Sequence, residues 1–112
     1  MTYLERFKED GTNIFEKIEE PIIYEQLAEE CSELAHISLK MARKLRGNNP
    51  TPMTKEEILE GLNEEIADVM LCIDILLEDR QIMSHESVES IMIEKRQRWI
   101  QRLIDREKEN EG

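Results

Sequence analysis

Aromatic residues are scarce in this chain: one Trp, two Tyr and two Phe among 112 residues. Glycine and proline are nearly as sparse, with four and three copies. Strand-favouring rings and helix breakers are both in short supply, and the many Glu, Lys, Leu and Ile favour helix over sheet. No stretch alternates as a half-buried strand would. Only two cysteines occur, Cys31 and Cys72, without CxxC spacing. Both fall within helical apolar patterns and read as reduced core thiols. No apolar run approaches the roughly 20 residues needed to span a membrane, and no basic segment followed by an apolar stretch opens the sequence. The expectation is a cytoplasmic protein with no membrane partner. Positive charge is also in deficit, with 15 Lys and Arg against 26 Asp and Glu and a formal net charge of -11. Such a surface repels a long polyanion, which disfavours a nucleic-acid polymer as partner. A small phosphorylated ligand remains compatible, because a bound divalent cation reverses the sign of an acidic site.

What is present is helical patterning from end to end. Residues 2–18 carry Tyr3, Leu4, Phe7, Ile14, Phe15 and Ile18 but are interrupted by Gly11, which predicts a broken helix over residues 1–20. Pro21 suits a first helical position, and an unbroken helical pattern follows to about Arg46, with Gly47 as its C-terminal cap. Asn48 to Pro52 make a loop. Thr54 with Glu57 forms a capping box, and Met53 with Ile58 suits a hydrophobic staple, so a helix starts there and runs to about Glu78 or Asp79. A last helix is expected from Ser84 or His85 through Trp99 to about Arg106, with residues 107–112 a fraying tail. The fold class expected is all-α: one domain over residues 1–112, a bundle of about four helices. A chain this short buries only about 60 to 70% of its unfolded surface. Self-association, as a homodimer or homotetramer, would enlarge that small core.

Two carboxylate pairs sit where core residues belong. At ~100° per residue, Ile23, Tyr24, Leu27, Cys31, Leu34, Ile37, Met41 and Leu45 form one broad apolar arc. Glu30 falls inside that arc and Glu33 at its edge, whereas Glu29 faces outward. On the next helix Ile58, Leu59, Leu62, Ile66, Val69, Ile73, Leu76 and Leu77 form the stripe. Glu65 lies between Cys72 and Ile58, Asp68 lies between Ile75 and Cys72, and Glu64 is peripheral. Glu33 is about 20 Å before the end of its helix and Asp68 about 20 Å after the start of the next, so an antiparallel hairpin sets the pairs level. Four converging, half-buried carboxylates repel one another and lose hydration unless a cation joins them. Hard oxygen ligands suit Mg²⁺, or Mn²⁺, better than zinc.

The segments Glu29-Glu30-Cys31-Ser32-Glu33-Leu34-Ala35 and Glu64-Glu65-Ile66-Ala67-Asp68-Val69 resemble the paired ExxE and ExxD signatures of the all-alpha nucleoside triphosphate pyrophosphohydrolases. These MazG-like proteins include dimeric dUTPases, dCTP pyrophosphatases and phosphoribosyl-ATP pyrophosphohydrolase. The resemblance spans roughly residues 20–104, with a rather long spacer of 31 residues between Glu33 and Glu65. It implies that Glu30, Glu33, Glu65 and Asp68 bind Mg²⁺, with Glu29 and Glu64 as substitutes. It also implies hydrolysis of a nucleoside triphosphate between the α and β phosphates, to the monophosphate and pyrophosphate, in house-cleaning of the nucleotide pool. The cation would neutralise the phosphates and lower the pKa of the attacking water, with Glu30 or Glu33 as the proton acceptor. The family also uses basic residues of the last helix on the phosphates. Lys95 lies between Ile91 and Trp99 on the apolar stripe and is the candidate, with Arg98 and Arg96 as helpers. Glu94-Lys95-Arg96-Gln97-Arg98-Trp99 lacks the Asn found after that Lys in relatives, and a snorkelling stem would equally explain Lys95.

Other features have plainer readings. Arg43, Lys44 and Arg46 suit the negative end of a helix dipole. Tyr24, Phe7, Phe15 and Trp99 read as core before base-stacking platforms. Glu33-Leu34-Ala35-His36 is a single ExxH, but a di-iron bundle needs two, and His36 faces away from the core, as a surface residue like His85. The non-enzymatic alternative is an acidic helical interaction module, in which the carboxylates only solubilise and divalent metal has no effect.

Overall fold

A computed structural model describes residues 11, 13–47, 52–79 and 84–111. All regular structure among them is helical. A 3-10 turn, Ile14–Glu16, precedes helix α1, Glu20–Arg46; helix α2, Lys55–Asp74, passes directly into a π-helical segment, Ile75–Asp79; helix α3, His85–Glu111, follows. The expected helix over residues 1–10 and the loop at 48–51 lie outside the described residues. The chain divides into two compact units, residues 1–80 and 81–112. No helix among the described residues is long and apolar enough to cross a membrane.

The helix ends follow from local chemistry. Pro21 stands within the first two positions of α1, where its missing N–H costs nothing. Gly47 closes the helix in the left-handed region at φ 72, and its N–H donates to the Arg43 carbonyl at 2.9 Å. At the start of α2 the Glu57 N–H donates to Thr54 Oγ1 at 3.1 Å, and the Thr54 N–H donates to Glu57 Oε1 at 3.2 Å. Both halves of the capping box are therefore formed. Ser84 caps α3 through its hydroxyl, which accepts from the Ser87 N–H at 3.3 Å.

In the first unit α1 and α2 pack against each other as a helical hairpin. On α1 the buried or half-buried positions include Ile23, Leu27, Glu30, Leu34, Ile37, Met41 and Lys44; on α2 they include Ile58, Leu62, Glu65, Val69 and Cys72, continued by Leu76 of the π-helical segment. Both series advance by alternate steps of four and three, the 3.5-residue period of a coiled-coil seam. Ile58 is fully buried, at 0% exposure. At one end Ile23, Cys72, Ile75 and Leu76 form a cluster on which Ile14, Phe15, Ile18 and Leu27 pack. Three successive residues, Ile75, Leu76 and Leu77, are buried there. At ~100° per residue they span too wide an arc for one partner helix, and the 3-10 turn packs against the segment as well.

The seam is narrower than the arcs drawn from sequence. Tyr24, Cys31 and Leu45 on α1 and Leu59, Ile66 and Ile73 on α2 are exposed rather than core. Leu59, Ile66 and Ile73 form a second stripe about a quarter turn from the seam, which one neighbouring helix does not cover. Cys31 is thus an exposed free thiol, and Cys72 a buried one. No described residue of α3 is buried, and Trp99 is 67% exposed. This helix continues past Arg106 to Glu111, since Glu107, Lys108, Glu109 and Glu111 all favour helix and no breaker precedes Gly112.

Candidate metal centre

Glu30 and Glu65 occupy seam positions, where the period calls for an apolar side chain, and both are half-buried. Glu33 and Asp68 follow three residues later on their helices and are exposed at the rim. One carboxylate oxygen from each of these four residues lies within 4.8 Å of the others. The antiparallel register sets Glu30 beside Asp68 and Glu33 beside Glu65, the pairs in closest electrostatic contact. Glu29 and Glu64 are exposed and stand outside this group.

The electrostatics are unfavourable without a counter-charge. Burial pushes the Glu30 carboxyl above its ordinary value; donation from Gln26 opposes this, and the charges of Asp68 and Glu33 reinforce it. Burial likewise pushes Glu65 up, followed by contact with Glu33 and the charges of Asp68 and Glu30. The Cys72 thiol is pushed up first by burial and then by Glu30 and Asp68. Gln26 Nε2 donates to Glu30 Oε1 at 2.7 Å. The other oxygen, Glu30 Oε2, and its counterpart Glu65 Oε2 are buried without any hydrogen-bond partner. A buried carboxylate oxygen left unpaired is costly, and the charged neighbours across the seam are carboxylates too.

The donor set fits a small hard cation. Mg²⁺ takes oxygen ligands at about 2.0–2.1 Å in octahedral geometry, so its adjacent ligands stand about 2.9 Å apart and its opposite ligands about 4.2 Å apart. The four oxygens, all within 4.8 Å of one another, are grouped closely enough for one such ion to draw them in. No His or Cys contributes to the group, which disfavours a zinc-type site. His36 is exposed on the helix surface, so no His–carboxylate di-iron arrangement forms around Glu33.

The basic candidates Lys95, Arg96 and Arg98 are exposed on α3, in the second unit. Lys95, Arg98, Trp99 and Arg102 line one hollow on that helix. Arg98 approaches Glu94 at 4.0 Å, one turn earlier, an exposed pair of small energetic weight. Arg102 and Gln26 are two residues that the sequence reading did not single out. Their signals were positional: Arg102 is seven residues beyond Lys95 and four beyond Arg98, and Gln26 is four before Glu30, the spacings that share a helix face. No protein-family profile matches the chain, and no curated protein or solved structure matches it either.

Proposed function

We propose that the four carboxylates bind Mg²⁺, with Mn²⁺ as a substitute, and that the protein is a nucleoside triphosphate pyrophosphohydrolase. The observation that carries the metal half is the pair of buried, partnerless oxygens, Glu30 Oε2 and Glu65 Oε2, within a four-carboxylate group. A divalent cation satisfies both acceptors at once and offsets the repulsion among the four carboxylates. The nucleotide half draws on the paired ExxE and ExxD pattern and on the acidic surface, which admits phosphates where a cation is held.

The cation, when bound, supplies neutralisation of the phosphates and acidification of the attacking water. The seam carboxylates Glu30 and Glu65 hold the inner side of the site, and the rim carboxylates Glu33 and Asp68 face the ligand. Glu30 or Glu33 accepts the proton as water attacks the α-phosphorus and pyrophosphate leaves. On the resemblance, Lys95 with Arg98 and Arg96 are the candidate ligands of phosphate oxygens, on the second unit. A second copy of the chain completes a dimer or tetramer over the exposed stripe of Leu59, Ile66 and Ile73.

The test is release of pyrophosphate from a panel of standard, deoxy- and damaged nucleoside triphosphates with Mg²⁺. At least one should be cleaved to its monophosphate, and Glu65→Gln and Asp68→Asn should abolish cleavage while the far-ultraviolet circular dichroism is unchanged. If none is cleaved, the enzymatic reading falls. If the melting temperature is also indifferent to divalent metal, an acidic interaction module remains.

A further inference from the structure

We infer that Gly61 sets the spacing between α1 and α2 on which the carboxylate centre depends, and thereby selects a small cation over a large one. This rests on the metal reading above. Gly61 lies four residues before Glu65, and Ile37 lies four residues after Glu33, so the Gly61–Ile37 contact is the next rung of the hairpin beside Glu33 and Glu65. A Cβ placed on Gly61 would stand 3.1 Å from Ile37 Cδ1 and 3.4 Å from Ile37 Cγ1. Ordinary carbon contacts are about 3.5–4.0 Å. A Cβ at 61 therefore fits only if the Ile37 side chain or its helix gives by a few tenths of an ångström.

A glycine inside a helix is unfavourable by about 1 kcal/mol relative to alanine. Gly61 is the one glycine within the described helices; Gly11 and Gly47 have positive φ outside them. What this substitution of hydrogen for methyl provides is proximity. One helical turn, about 5.4 Å, separates this rung from the nearer carboxylate pair. Widening the hairpin here moves Glu33 and Glu65 apart before it affects any other pair in the group. Mg²⁺ requires ligands at about 2.0–2.1 Å in near-ideal octahedral geometry, whereas Ca²⁺ accepts 2.3–2.6 Å and irregular arrangements. Spacing at Gly61 therefore acts on the Mg²⁺-to-Ca²⁺ preference as well as on affinity.

The experiment is calorimetric titration of the full chain with Mg²⁺ alone and Ca²⁺ alone, alongside its metal-free melting temperature. Gly61→Ala should weaken Mg²⁺ binding about 10-fold, weaken Ca²⁺ binding less, and leave the metal-free melting temperature unchanged or raised. Ile37→Val deletes Cδ1, the atom in the tightest contact, so Gly61→Ala/Ile37→Val should recover wild-type Mg²⁺ affinity. That double variant also serves if the single one fails to fold. Wild-type Mg²⁺ affinity and an unchanged Mg²⁺-to-Ca²⁺ ratio in folded Gly61→Ala would overturn the role of Gly61, as would a double variant that stays weak. Failure of the metal reading shows differently: wild type itself would bind no Mg²⁺, or Glu65→Gln would bind it equally well, and the inference falls with it.

Discussion

At the scale of single residues, the defining feature is acid where the seam requires hydrocarbon. Glu30 and Glu65 have carboxyls held above the ordinary value of 4.5, chiefly by burial. A native-state value above the unfolded one means that the folded chain binds the proton more tightly. The contribution of this pair to stability is therefore fully present below about 4.5 and lost as pH rises through the raised native values. In EDTA, the melting temperature of wild type relative to Glu65→Gln should fall as pH rises through that window. With saturating Mg²⁺ the dependence should reverse, because the ligands must be deprotonated to bind. A difference that is flat in EDTA would contradict the assignment of unpaired seam carboxylates. Glu30→Gln and Glu65→Gln should each raise or preserve the metal-free melting temperature and lower Mg²⁺ affinity by at least ~10-fold. Removing an ordinary structural ion-pair partner would instead destabilise the fold.

At the scale of elements, the hairpin depends on its capped ends and its tight seam. Thr54→Ala removes the acceptor for the Glu57 N–H and should lower unfolding free energy by about 1 kcal/mol in urea denaturation. Ile58→Ala empties a fully buried position and should cost about 2–5 kcal/mol in the same assay. These features were legible beforehand because each is written in a few adjacent residues: Thr54 with Glu57, Gly47 after a basic turn, Pro21 at a helix start. Glu30 and Glu65 were legible because a carboxylate on an apolar period stands out against it. The outer stripe was not legible. Tyr24, Leu45, Leu59, Ile66 and Ile73 extend the apolar arcs, and a wheel does not tell how many neighbouring helices cover a face. The π turn at Ile75–Asp79 and the close approach of Gly61 to Ile37 depend on the partner element, so no local pattern announces them.

At the scale of the whole molecule, a chain with a net charge of -11 folds around a seam that contains two of its acids. That charge is self-repulsive, and the divalent cation proposed for the seam would offset part of the repulsion. The apolar stripe of α2 argues for self-association: Ile66→Glu and Ile73→Glu should shift sedimentation equilibrium towards the monomer while helical content persists. The centre itself is tested most directly by calorimetric titration of Mg²⁺ into wild type and Glu65→Gln, in two buffers of different ionisation enthalpy. Saturable binding with proton release in wild type, lost in Glu65→Gln, is the expected result. Absence of saturable binding, or binding unaltered by Glu65→Gln, would contradict a metal centre built from Glu30, Glu33, Glu65 and Asp68.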